Sequence, residues 1–200
     1  SPNDSIVLDY LKYRLLTDSV PTFYLCITLS SHAPFSIADN VQYAIDDKMP
    51  KNMQKYIRAM HYVDTQLGHF FDFMNSHPEI SEKSDIVITG DHTVFKKLML
   101  NEMLEYAQCH GMSLANGKNY CPLIIKSSSI SKSLKYTDVA YQMDIFPTIK
   151  TITGLSGYYW SGFGIDLLDT SNDRKITEEE AYALSDKIIR TDYFHGFYSK

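Results

Sequence analysis

Asp91 and His92 stand side by side directly after Gly90, at the end of the apolar run 84–89 (SDIVIT). Adjacent side chains in an extended segment point apart. At a strand end, however, the backbone can bend and aim a carboxylate and an imidazole at one cation. Nitrogen and oxygen donors of this kind suit zinc at roughly 2.0–2.2 Å, or manganese with more oxygen ligands. Such an ion polarises an ester oxygen and lowers the pKa of a bound hydroxyl. The competing reading of the same dipeptide is a solvated turn with an N-capping Asp. His32 is the second candidate, a few residues past the apolar run 22–29 (TFYLCITL), with a loop histidine bonded to backbone as its alternative. Both positions follow buried-type strands, and in open α/β sheets ligands sit outside the carboxyl ends of strands.

Other chemistry-bearing residues weigh less. Asp169, Ser171, Asp173 and Glu180 fall at the first, third, fifth and twelfth positions of an EF-hand-like loop, with Ile176 at the eighth, but Arg174 occupies the sixth, where Gly makes the turn. A capping box of Thr177 and Glu180 explains the acidic residues there without calcium. His61 and His69 flank Asp64 but stand two helical turns apart, so they read as ordinary helix histidines. Tyr158, Tyr159, Trp160 and Phe163 form an aromatic, Gly-rich loop that either lines a glycan or lipid-headgroup site or fills the interior.

The elements that must position these residues follow from periodicity. Ile6, Tyr10, Leu11 and Leu15 predict a helix over 5–16, with Asn3 and Asp4 as capping candidates. Apolar residues at 53, 57, 60, 63, 67, 70 and 74 predict a long amphipathic helix from 51 to about 75. The runs 22–29 and 84–89 read as strands buried on both faces, and CPLIIK at 121–126 reads as a third strand. Further helices are predicted over 99–110, closed by Gly111, over 144–153 with Pro147 in the first turn and Gly154 after it, and over 177–189. Alternating strands and helices predict a layered α/β/α fold with a mainly parallel sheet, as one domain over 1–200.

Composition narrows the function further. The 200 residues are 44% hydrophobic, enough to build a core. A formal charge of −5 and the lack of Lys/Arg clusters exclude a nucleic-acid footprint. Cys26, Cys109 and Cys121 form no CxxC pair and close no disulfide framework. No apolar run is long enough to span a bilayer, and no signal peptide is visible.

SDIVITGDH at 84–92 resembles the strand and metal-binding turn of the alkaline phosphatase and sulfatase superfamily, and LSSHAPF at 29–35 is similar to its strand-then-histidine segment. YIRAMHYVDTQLGHFFDFM at 56–74 resembles the family's long helix with its Asp-x-x-x-Gly core. CPLIIK, YQMDIFPTIKTITGL at 141–155 and SGFGIDLL at 161–168 resemble its closing strand, Asp-x-x-Pro-Thr helix and Gly-x-Asp-Leu turn. The order of segments resembles lipoteichoic-acid synthases and phosphoethanolamine transferases more than arylsulfatases.

The resemblance implies that Asp91 and His92 are ligands of a divalent metal (Zn, Mn, Mg or Ca) and that His32 binds the oxygens of the transferred phosphoryl or sulfuryl group. Asp64, Asp144 and Pro147 match the family too and read as structural, Asp64 as a helix Asp that orders neighbouring loops and Asp144 as the cap of a short helix with Pro147 in its first turn. The resemblance also implies that the chain is the C-terminal portion of a catalytic domain whose N-terminal half supplies the nucleophile and another acidic ligand. No Cys-x-Pro-x-Arg or Ser-x-Pro-x-Arg segment occurs, so no nucleophile is expected here, and the chain alone is expected to be inactive and to bind metal weakly. Thr93 departs from the small or polar residues that often follow the His. The implied substrate is a phosphate or sulfate ester on a lipid headgroup or glycan. The implied setting is a membrane-anchored parent with an extracytoplasmic catalytic domain, this chain itself being soluble. The alternative function is a noncatalytic domain of the same fold that binds a glycan or protein partner.

Overall fold

The structure is a computed structural model that describes residues 3–37, 43–92, 96–111, 121–159, 162, 164–169, 171 and 177–191, without side chains for 96–100 and 178. The chain divides into two compact units, Ser1–Ser128 and Ser129–Lys200.

The first unit is built on α2 (Lys51–Ser76), whose bounds match the expected long helix but whose buried face follows the expected stripe only in part, since Ala59 and Tyr62 are inside and Met60 is 42% exposed. Met53, Ala59, Tyr62, Phe70 and Met74 are buried along it. Fully burying side chains such as Phe70 and Met74 stabilises by about 1.5–3 kcal/mol each. Helices α1 (Asp4–Thr17) and α4 (Lys96–Cys109) pack against α2, and the short α3 (Pro78–Ser81) follows it with Pro at its first position. Gly111 lies at φ 64°, the left-handed conformation expected just beyond α4. Helix α1 buries a different face from the expected one. Asp4 and Leu8 are inside, whereas Ile6 and Tyr10 are exposed.

Strands β1 (Ile86–Thr89) and β2 (Leu123–Lys126) form a two-stranded ladder with Ile86 opposite Lys126 and Thr89 opposite Leu123. The pair is antiparallel, which departs from the expectation of a mainly parallel sheet. The physical reason lies in where β2 starts: a parallel pair requires the chain to return to the end where β1 began, whereas Leu123 enters where β1 finishes.

The run 22–29 also departs from expectation. It joins no ladder among the described residues. Phe23, Leu25 and Ile27 are 78%, 76% and 63% exposed. A strand is buried on both faces only when a sheet flanks it and layers cover it, and the described residues supply neither.

In the second unit, a 3-10 turn at Gln142–Asp144 leads into α5 (Ile145–Ile152), with Pro147 buried and Gly154 at φ 73° after it. Asp144 is wholly buried. Its carboxylate accepts from Tyr141 N (2.7 Å) and Ile165 N (2.9 Å), so it caps the 3-10 turn rather than α5 and ties the loop at 164–165 to it. Helix α6 (Glu178–Arg190) starts with the expected capping box. Glu180 N donates to Thr177 Oγ1 (3.2 Å), and Thr177 N donates to Glu180 Oε2 (2.7 Å). Half of the EF-hand-like loop, including Asp173, Arg174 and Ile176, lies outside the described residues, as do Thr93, Trp160 and Phe163.

Candidate active site

The His32 turn is built by hydrogen bonds of increasing range. His32 N donates to Leu29 O (3.0 Å) and Phe35 N donates to His32 O (2.9 Å), closing two successive reverse turns. Within them Ala33–Pro34 is cis and Phe35 sits at φ 59°. From 25 residues away, the carboxylate of Asp4 accepts from Leu29 N (2.8 Å) and from Ser30 N (3.2 and 3.3 Å).

The imidazole of His32 is exposed, and its Nδ1 lies 2.7 Å from Ala33 O. A carbonyl only accepts, so Nδ1 carries the proton in this bond. The outward-facing chemistry falls to Nε2, which donates to an anion's oxygen only when the ring is the imidazolium.

At the end of β1, Asp91 and His92 are both solvent-facing, with side chains 88% and 47% exposed. His92 N donates to Asp91 Oδ1 (2.9 Å), which leaves Oδ2 of Asp91 3.8 Å from Nε2 of His92. Two metal bonds of about 2.0–2.2 Å can bridge that gap, and the donors are the oxygen and nitrogen that zinc or manganese accepts. The pair therefore fits part of a divalent-metal site. It is only part, because a catalytic zinc site commonly uses three protein ligands, and no group of three or more His, Cys, Asp or Glu is placed to hold a metal among the described residues.

The antiparallel register brings Cys121 onto the same turn. A Cβ at Gly90 would lie 3.2 Å from both Cβ and Sγ of Cys121, so the lead-in to β2 packs where a side chain would otherwise stand. Burial, and secondarily the Asp91 charge, push the Cys121 thiol up. Tyr56 of α2 is raised likewise, by burial first and then by Cys121. The ring of Phe35, from the His32 turn, meets Tyr56 edge-on at 5.4 Å between centroids. Tyr56 thus touches the His32 turn through Phe35 and feels the charge of Cys121 beside Gly90. Sequence reasoning missed Asp4, Tyr56 and Cys121, whose only signals were a helix-start acid, a position on the long apolar helix and a strand-edge Cys-Pro.

The lesser candidates resolve simply. His61 stacks on Tyr43 with centroids 4.1 Å apart, and His69 is exposed, as expected of helix histidines. Asp64 is exposed and no hydrogen bond to a loop is seen for it among the described residues, so the loop-ordering role is not visible. Tyr158 and Tyr159 are exposed rather than buried as a plug. Asp169 Oδ1 accepts from Ser171 N (2.9 Å) and Oγ (2.6 Å), a local turn that holds its carboxyl below the usual range. An open cavity of about 370 Å³ in the second unit, lined in part by Lys150, Thr151, Asp166 and Asp169, includes none of His32, Asp91 and His92.

Comparison with known proteins places these features in a family. The sulfatase family model matches residues 2–155. The chain is 27% identical to mouse arylsulfatase K over 144 residues, covering 66% of this chain and 24% of that protein. It is 21% identical to lipoteichoic acid synthase 1 of Bacillus subtilis (strain 168) over 186 residues, covering 86% and 27%. Among solved structures it resembles the lipoteichoic acid synthase LtaP from Listeria monocytogenes, with a TM-score of 0.66 and 25% identity, covering 86% of this chain and 44% of that one. The chain spans about a quarter of the length of the curated relatives it matches.

Proposed function

This chain belongs to the sulfatase family, and we propose that it is the C-terminal portion of a catalytic domain that acts on phosphate or sulfate esters at a divalent metal. Asp91 and His92 contribute two ligands, and His32 binds the nonbridging oxygens of the transferred group through Nε2. The observation that carries this reading is the Asp91–His92 pair, its Oδ2 and Nε2 held 3.8 Å apart at the end of β1. The ring contact of Phe35 with Tyr56, whose hydroxyl pKa is raised by burial and then by the nearby Cys121, supports placing His32 on the same side of α2. The metal, when bound, supplies Lewis-acid polarisation of an ester oxygen. Its identity among Zn, Mn, Mg and Ca is not needed for these roles.

The nucleophile and the remaining ligands belong, on this reading, to the N-terminal half of the same domain. The exposed run 22–29 supports it, because Phe23, Leu25 and Ile27 would then be covered as the run joins a larger sheet of a layered α/β/α domain. The reaction is that of a sulfuric ester hydrolase or of a phosphoglycerol or phosphoethanolamine transferase, with a lipid headgroup or glycan as substrate. A membrane-anchored parent with an extracytoplasmic catalytic domain accords with the similarity to a lipoteichoic acid synthase. None of the described helices is long and apolar enough to cross a membrane.

Assaying this chain on aryl sulfate and aryl phosphate esters with added zinc, manganese or calcium tests the division of labour. No turnover is expected, and robust turnover by the chain alone would refute the assignment of the nucleophile elsewhere. The exposure of Tyr158 and Tyr159 favours a second reading, a noncatalytic glycan- or partner-binding domain. On that reading, the residues preceding this chain in the parent would lack both a hydroxyl or thiol nucleophile after a buried strand and an acidic ligand.

A further inference from the structure

We propose that Asp4 is a positioning residue for His32, fixing the turn from which the imidazole reaches the transferred group. The inference rests on the assignment of His32 as an oxyanion-binding residue. Asp4 is 1% exposed, and an ionised carboxylate is kept out of water only when its oxygens are well bonded. Its partners are consecutive backbone amides, Leu29 N at 2.8 Å and Ser30 N at 3.2 and 3.3 Å. Two donors one peptide apart leave the chain little freedom to rotate at that point. Leu29 O then accepts from His32 N, so the plane that Asp4 fixes is the one on which the His32 turn closes.

A purely local explanation for Asp4 would make it the N-cap of α1. That role is taken by Asn3, whose side chain accepts from Ser5 N at 3.4 Å. The Asp4 carboxylate is directed instead at residues 25 and 26 positions away. An Asn at position 4 would present an NH2 group to one of these amides, donor against donor, and so could not reproduce the arrangement.

The test is NMR on the full 200-residue chain, following amide hydrogen exchange at Leu29, Ser30 and His32 and the His32 ring signals during titration with inorganic phosphate. In Asp4→Asn, exchange at Leu29 and Ser30 should accelerate roughly tenfold or more, as expected for loss of charge-assisted hydrogen bonds. The His32 ring signals should move, and their response to phosphate should weaken severalfold, while the Asp91 and His92 signals hold. Faster exchange with unchanged His32 ring signals would overturn the proposal and leave Asp4 a mere stabiliser. If the wild-type His32 ring ignores phosphate, the oxyanion reading fails. Positioning is then judged on the ring signals alone, displaced in Asp4→Asn if it holds and unchanged if it does not. Should Asp4→Asn fail to fold, Asp4→Glu carries the test, because its carboxylate stands one methylene further out. Unchanged His32 ring signals in folded Asp4→Glu would overturn the proposal.

Discussion

The turn bearing His32 and the turn bearing Asp91 and His92 are anchored by different physics. The first is held across 25 residues by the buried carboxylate of Asp4 on α1, with Phe35 packed edge-on against Tyr56 of α2. The second ends a four-residue strand, is fixed by ladder register against β2, and is closed locally by His92 N on Asp91 Oδ1. Its side chains are exposed, whereas the anchor of the His32 turn is among the most buried groups of the described residues. A buried charge-assisted anchor gives one geometry or none. A short ladder tolerates displacement, which suits ligands whose positions a metal and further protein groups would complete.

The sharpest way to break this contrast is at Gly90. Its Cβ position is 3.2 Å from Cβ and Sγ of Cys121, so Gly90→Val should force the strand ends apart and destabilise by about 1–3 kcal/mol, the usual range for overpacking. Urea unfolding reads the loss. NMR shifts should concentrate at 90–92 and 121–122, leaving Leu29, Ser30 and His32 in place. Equal displacement of both turns would show that they share one anchor.

A smaller effect probes the approach to the His32 turn. Arg14 and then Tyr24 hold the Asp18 carboxyl below its usual range, tying the end of α1 to the segment that leads to residue 29. A pKa lowered on folding adds stability that is present above the ordinary Asp value near 3.8 and is lost as pH falls through the folded one. Tyr24 ring signals should therefore hold through the ordinary Asp range and loosen only on acidification below it, and Asp18→Asn should abolish that response. Acid-insensitive Tyr24 signals in the wild type would dissolve this tether.

How much of this was legible in sequence depended on range. Helix α2 was readable because seven apolar positions at intervals of three and four leave one face to bury, and α6 because Thr177 and Glu180 satisfy each other within one turn. The runs 22–29 and 84–89 show the limit. Both are rich in strand formers, yet only the second is paired among the described residues, because a run of apolar side chains states its wish for a sheet without naming its neighbour. Asn3 and Asp4 were interchangeable as caps by residue type. Only tertiary structure separates the one that caps from the one that reaches Leu29 and Ser30. The contact of Cys121 with Gly90 depends on register, which an isolated strand segment does not encode.

On the proposed function, Asp91 and His92 together hold a divalent cation close to His32. Titrating the chain with manganese and following paramagnetic broadening by NMR tests it most directly. The Asp91 and His92 signals should broaden first and the His32 signals next, with both effects lost in the Asp91→Ala, His92→Ala double variant. Broadening that begins elsewhere, or that survives in the double variant, would contradict it.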